Sequence, residues 1–262
     1  MKIIFPMAGL GSRFQKVADK NPEYRKPKPF IDVKGHPMVC FATGSLPFFK
    51  PENAAFIILK EHDDAHGIGK KLKEIYSDVI TVIVIPSLTR GAAETVLAAK
   101  SFINPEEDLL ISDTDHFFDG SVFAELIKNK DSDTAGIIPV FKARNEGIPK
   151  WSYTLLKNNT NHIEQVAEKS RELMEKGAYA NIGAYYFSKG KHFIEEAEKV
   201  IAKNERSGDP VKGEFYIAPL YQKLLDRGHK LQAAVIPEMW GLGTPEDLEF
   251  FLAGSPINKP FF

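Results

Sequence analysis

The sequence predicts an α/β protein: a Rossmann-like, mostly parallel sheet with helices on both faces, joined to a smaller β-rich lobe. Three observations carry that expectation. Short Val/Ile-rich runs at Ala54–Leu59, Thr81–Ile85, Asp108–Ser112 and Thr134–Val140 alternate with longer stretches of helical pattern. The first apolar run empties straight into a glycine loop, as happens where a parallel strand ends at a ligand crevice. After about residue 142 the texture changes to runs that read as antiparallel strands. The expected division is therefore 1–141 for the α/β core and 142–262 for the second lobe, closely joined.

Lys2–Met7 contains Ile3, Ile4 and Phe5 and reads as a buried strand, followed at once by Ala8-Gly9-Leu10-Gly11-Ser12-Arg13. Two glycines let the backbone approach a bound group and turn its N–H donors toward an anion, while Ser12 and Arg13 add a hydroxyl and a guanidinium. A phosphate-rich ligand fits such a loop, although Gly-x-Gly after a strand also serves as a plain tight turn. The dinucleotide fingerprint is incomplete because Phe14 stands at the third glycine, and the P-loop Gly-Lys-Ser/Thr is missing. Next, Tyr24-Arg25-Lys26-Pro27-Lys28-Pro29 sets three cations among stiffening prolines and leads into Phe30–Val33, read as a second apolar strand. Lysines held this way can aim their ammonium groups at the oxygens of a triphosphate.

Helices are expected at Pro37–Leu46, Ala65–Tyr76, Gly91–Phe102 and Ser121–Lys128. Two further stretches lie at strand ends. In Thr89-Arg90-Gly91-Ala92-Ala93-Glu94-Thr95, small residues open a helix and would admit a flat ring; a helix start with an acidic first turn has the same look. In Ile111–Gly120, Asp113 and Asp115 follow an apolar strand directly and would repel one another unless solvent or a hard divalent cation intervenes. Mg²⁺ is the cation expected alongside a triphosphate, and a surface acidic loop is the alternative. His116 receives no role.

In the second half, Ser152–Leu156, Ile163–Glu168 and Ala178–Phe187 read as strands, with Lys157–Asn161 as the turn between the first two. Lys191–Ala202 and Tyr216–Leu225 read as amphipathic helices, and Pro245-Glu246-Asp247 opens a last short one. A tail ending in Phe261-Phe262 suggests docking on the body or on another subunit, a possible homo-oligomer.

Composition narrows the partners. With 262 residues and 43% hydrophobic content the chain can bury a large core, and 34 basic against 35 acidic side chains leave a net charge of −1. Neither a nucleic-acid nor a membrane surface is expected from that balance. The N-terminal apolar run is broken by Pro6, Gly9, Gly11 and Arg13, which does not suit a signal peptide. The single cysteine, Cys40, sits in an apolar helical stretch and reads as buried; a cytoplasmic address is compatible.

Taken together, Gly9-x-Gly11-x-Arg13, Lys28-Pro29-x-Ile31-x-Val33 and Gly35-His36-Pro37-Met38 resemble the signature of the sugar-1-phosphate nucleotidylyltransferases, the nucleotide-sugar pyrophosphorylases of the NTP transferase superfamily. The likeness continues in patches to Thr244. It implies a GT-A-like nucleotidyltransferase fold with an acceptor-binding second lobe, and an enzyme that couples an NTP to a phosphorylated acceptor, a sugar 1-phosphate foremost, with release of pyrophosphate. The resemblance implies Arg13 on the leaving pyrophosphate, Lys28 on the reacting phosphate and Lys26 assisting. Ala8, Gly9, Leu10, Gly11, Ser12, Gly91, Ala92 and Ala93 would accommodate the nucleotide. Asp115-His116-Phe117-Phe118-Asp119-Gly120 matches the family's Asp-x-x-Phe-x-Gly, which favours Asp115 as the metal ligand with Asp113 second. Glu168-Lys169 resembles the family's Glu-Lys-Pro with Ser170 for the proline, and Asn181-Ile182-Gly183 its Asn-x-Gly. Lys169, Asn181, Gly183 and Trp151 are thereby expected to meet the acceptor, with Arg144, Lys150 and Tyr153 nearby and Glu214 in either a structural or a functional role.

One departure stands out. Where the family carries Trp-x-Asp-x-Gly-Thr, whose aspartate is a second metal ligand, this chain reads Trp240-Gly241-Leu242-Gly243-Thr244. Either phosphate oxygens and water complete the metal's shell, or Glu238 or Asp113 substitutes, or activity has been lost. That last possibility keeps an NTP-binding regulatory or inactive relative in view. Asp113-Thr114-Asp115 also has the Asp-x-Asp form of nucleotide-sugar-dependent glycosyltransferases, a further alternative.

Overall fold

A computed structural model describes residues 1–144, 147–209, 213–255, 257 and 260. The strands are β1 (Lys2–Met7), β2 (Asp32–Val33), β3 (His36–Pro37), β4 (Ala54–Leu59), β5 (Thr81–Ile85), β6 (Leu109–Ser112), β7 (His116–Phe118), β8 (Thr134–Phe141), β9 (Ser152–Leu156), β10 (Ile163–Glu168), β11 (Tyr179–Asn181), β12 (Ala184–Phe187), β13 (Lys230–Val235) and β14 (Met239–Gly241). Ten of them form one sheet in the order β10-β9-β11-β8-β12-β6-β1-β4-β5, with β13 on the other side of β8. Strands β6, β1, β4 and β5 are parallel neighbours, the α/β core that the repeated apolar runs foretold. Antiparallel β12 joins that core to β8, and β11 and β9 carry the sheet on to β10.

Both faces of β1, β4 and β6 are covered, and nearly every side chain along them is apolar, Lys2 and Ser112 excepted. Ile4, Ala55 and Ile57 enter a core under the helices Ala92–Leu97, Gly190–Ala202 and Ala218–Asp226. Ile3, Phe5, Phe56 and Ile58 enter another under Met38–Gly44, Ile68–Tyr76 and Ser121–Asn129. The alternation is the ordinary period of two for a strand, doubled into a layer on each side. A third cluster around Phe14, Tyr24, Phe41, Phe117 and Phe251 packs the region after the glycine loop against the final helix, Pro245–Gly254.

Several sequence expectations are corrected. Phe30–Val33 is not a full strand: Lys28–Phe30 forms a 3₁₀ turn, closed by Phe30 N–H donating to the Pro27 carbonyl at 2.8 Å, and only Asp32–Val33 pairs with β3. Pro29 has no N–H to give a ladder and pre-sets its φ for such a turn. Ala178–Phe187 is two strands broken at Gly183, whose φ of +102 leaves the strand region. The helix expected at Ala65–Tyr76 begins earlier and is divided at Gly67 (φ +62) into Lys60–His66 and Ile68–Tyr76. Strands β7, β13 and β14 were not foreseen. Cys40 is buried, as expected. The Phe261-Phe262 tail lies outside the described residues.

Candidate active site

The site gathers at the carboxyl ends of β1 and β6. Gly11 takes φ +64, and a Cβ placed there would lie 3.1 Å from the Lys28 Cβ, so the bare glycine lets the loop close over the lysine. Lys28 is presented by its proline-flanked turn, and its ammonium donates to Asp115 Oδ2 at 2.6 Å. Asp115 follows β6, and its backbone carbonyl accepts from the Leu242 N–H at 2.8 Å. A Cβ on Gly243 would sit 2.7 Å from Asp115 Oδ2, and one on Gly183 would sit 2.7 Å from Asp113 Oδ2. Each carboxylate is therefore seated against a glycine that arrives from the second half of the chain.

The two aspartates differ in how readily each holds a charge. Burial, and then the neighbouring Asp115 charge, push Asp113 up to about 7. Burial also acts upward on Asp115, but the Lys28 ammonium outweighs it by charge and hydrogen bond and holds that carboxyl below its usual range. His116 is driven down to about 4 by burial and is neutral. Among the described residues no three His, Cys, Asp or Glu side chains converge tightly enough to hold a metal by themselves. Two hard carboxylates, one of them short of a countercharge, nevertheless fit a Mg²⁺ ion that keeps phosphate oxygens and water as its remaining ligands.

Two cavities meet at Lys28, and a third, of 530 Å³, reaches Asp115 beside Arg13, Trp151 and Asp247. The first, of 350 Å³, is walled by Ala8, Gly9, Gly91 and Ala92 and by Leu88 and Thr89. The second, of 380 Å³, is walled by Ser12, Arg13, Lys150, Trp151, Lys169 and Asn181. Gly11, Lys28, Asp113, Asp115, Glu214 and Tyr216 line both. The arrangement places a slot with no cation but Lys28 on one side of the Lys28–Asp115 pair and a chamber with Arg13, Lys150 and Lys169 on the other.

A family model for nucleotidyl transferases matches residues 8–249, nearly the whole chain and every residue of this centre. The chain belongs to the nucleotidyl transferase family. No curated protein matches the sequence significantly. Among solved structures, the nucleoside-diphosphate-sugar pyrophosphorylase of Vibrio cholerae RC9 is similar with a TM-score of 0.77 at 24% identity, over 96% of this chain and 100% of that one. The inositol-1-phosphate CTP transferase of T. maritima is similar with a TM-score of 0.65 at 17% identity, over 94% and 90%. At those identities the likeness is one of fold.

Within this nucleotidyl transferase the remaining expected residues fall as follows. Ala93 is fully buried and donates its N–H to the Phe215 carbonyl at 2.8 Å, so Gly91 and Ala92 form the slot wall in front of it. Leu10 is exposed outside both cavities. Lys26 pairs with Glu23 at 2.7 Å, and Glu23 also accepts the Asp32 N–H at 3.2 Å; this pair ties down the segment that presents Lys28. Asn181 accepts from Thr154 Oγ1 at 2.6 Å and leaves its Nδ2 without a partner. Tyr153 is buried among Leu173, Met174 and Ala180, whereas Arg144 lines a neighbouring 330 Å³ cavity with Trp151 and Trp240. Glu238 is exposed and lines none of these cavities; the carboxyl carbon nearest to a Cβ on Gly241 belongs to Asp247, at 3.6 Å. Sequence reasoning passed over Tyr216, whose place at the head of an apolar helical pattern made it look like core, and it passed over the seating role of Gly243. Their only signal was nearness to Glu214 and to the Gly-Thr pair.

Proposed function

We propose that this nucleotidyl transferase joins the nucleotidyl group of an NTP to a phosphorylated small molecule, foremost a sugar 1-phosphate, releasing pyrophosphate. The single observation behind the reading is that two cavities of different character share one cationic centre, Lys28, flanked by Asp113 and Asp115. The proposed division of labour gives 1–141 most of the nucleotide slot, joined there by Glu214 and Tyr216, and 142–262 most of the acceptor wall, joined there by Ser12 and Arg13.

In this reading a phosphate oxygen of the acceptor attacks the α-phosphorus, and the bond from that phosphorus to the bridging oxygen breaks in line. The electron pair leaves with pyrophosphate. Chemistry of this kind asks the protein for alignment and charge neutralisation rather than a covalent intermediate. Backbone N–H groups of the glycine loop face the phosphates, Arg13 receives the departing charge, and Lys28 moves from Asp115 to the reacting phosphate. Lys169 holds the acceptor's phosphate, and Asn181 Nδ2 is free to donate to another of its oxygens. Asp115 and Asp113 would hold Mg²⁺, which supplies further neutralisation of triphosphate oxygens. No helix among the described residues is long and apolar enough to cross a membrane, and a cytoplasmic supply of NTP suits the reaction.

The test is pyrophosphate release with Mg²⁺, running CTP, UTP, dTTP, GTP and ATP against sugar 1-phosphates and phosphoalcohols. Release that requires one NTP and one acceptor together is the expected result. NTP binding with no release under any pairing would sink the reading in favour of a regulatory relative. Turnover of a nucleotide sugar without free NTP would replace it with glycosyl transfer.

A further inference from the structure

Lysine 169 stands in an unusual conformation for a flexible side chain. Its φ of +49 lies in the left-handed region, which a non-glycine residue adopts only under strain. Its N–H donates to the Trp151 carbonyl at 2.9 Å, fixing the backbone at the end of β10. The ammonium then donates to the Tyr216 phenol oxygen at 2.8 Å, with Glu168 further away at 3.7 Å. Glu168 is almost fully buried and accepts a hydrogen bond from Ser152, so Tyr216 is the close partner.

Tyr216 is itself located by its surroundings. Gly208 has φ +88, and a Cβ on it would come to 3.0 Å from the Tyr216 ring, so the ring packs on bare backbone. Ser207 and Glu214 exchange both backbone hydrogen bonds at 3.0 Å, drawing together the two ends that carry Gly208 and Tyr216. The ring lines both the nucleotide slot and the acceptor chamber. Because its oxygen accepts from Lys169, its own proton remains to be donated, and burial raises its pKa so that it keeps that proton.

We propose that Tyr216 is a positioning residue for the acceptor: it pins the Lys169 ammonium at the boundary of the two cavities, so that the ammonium and the phenol O–H converge on one phosphate. This rests on the acceptor role given to Lys169 above. The result would be a preformed anion seat instead of a lysine that must be ordered on binding, the loss of rotamer freedom having been met in folding.

The experiment compares the wild type with Tyr216→Phe, which keeps the ring and removes the oxygen. Acetylation of individual lysines by an amine-reactive reagent is followed by peptide mass spectrometry, with and without inorganic phosphate as the probe. Tyr216→Phe should label about threefold faster at Lys169 alone and lose phosphate protection there, the size expected from one hydrogen bond. In turnover, the acceptor KM should rise about fivefold while the NTP KM and kcat stay within about twofold. Unchanged labelling and protection of Lys169 would overturn the proposal. So would faster labelling spread over many lysines with a lowered melting temperature, because that pattern marks a merely structural tyrosine. Absence of pyrophosphate release by the wild type would remove the functional reading, and Lys169 labelling would still decide the contact.

Discussion

The proposed nucleotide side and the proposed acceptor side of the centre are built in different ways. On the proposed nucleotide side, Ala8, Gly9, Gly11, Gly91 and Ala92 from two strand-end loops expose backbone along part of the wall. On the proposed acceptor side it is side chains, Lys150, Trp151, Lys169 and Asn181, brought together from separate segments. A backbone wall can recognise a feature common to every NTP, its row of phosphate oxygens. A side-chain wall can be changed residue by residue, which in the proposed reading makes it the place where acceptor choice is set.

The comparison breaks most severely if its shared centre is removed. Lys28→Ala should lower turnover about 10²–10³-fold with every acceptor, the usual loss when a charge-stabilising donor is deleted. Initial rates at saturating NTP check this, and a change confined to one acceptor would place Lys28 on the acceptor side alone. Next in size is Gly11→Ala, which adds left-handed strain and presses on Lys28. It should cost about tenfold to a hundredfold in kcat/KM for NTP, as small misplacements near reacting atoms do, with the acceptor KM unchanged. Asn181→Ala should do the converse, raising the acceptor KM about tenfold and leaving the NTP KM alone, in line with one lost hydrogen bond to a charged group. Equal effects on both substrates from either glycine or asparagine variant would erase the distinction between the walls.

The smallest expected effect is on stability. Asp113 has its folded-state carboxyl raised from 3.8 to about 7, so between those values the folded chain binds more protons than the unfolded one. Stability therefore falls as pH rises through that window and levels off above it. Asp113→Asn removes the titration, and its melting temperature should exceed that of the wild type above pH 7 in a chelator, with the gap closing near pH 4. A gap that does not depend on pH would mean that Asp113 is not the strained carboxylate.

The same contrast governs what could be read in advance. The parallel core was legible because β1, β4, β5 and β6 are short, nearly continuous apolar runs, and two covered faces demand such runs. The 3₁₀ turn at Lys28–Phe30 was misread because its apolar residues serve other contacts than a strand of the main sheet: Phe30 packs onto the sheet face with Ile3, Phe5 and Met7, while Ile31 and Val33 pack with Phe14 and Phe251 beside the glycine loop and the final helix. Strand β13 escaped notice although it pairs along almost all of β8, since Ala233 and Ala234 give it little strand signature and its partner supplies the register.

By itself the sequence determined the local chemistry: a glycine loop, a lysine between prolines and two aspartates after a strand, each a short stretch whose conformation its own residues dictate. The tertiary structure alone decided which groups face one another. The sequence marked Gly183 for the acceptor and Gly243 as part of a motif, but not that β12 and β14 bring them against Asp113 and Asp115. Lys169 meets Tyr216 across 47 positions for the same reason. Spacing along a chain fixes neighbours within a turn or a strand, whereas contacts between distant segments depend on how the whole sheet is ordered, and no local pattern encodes that order.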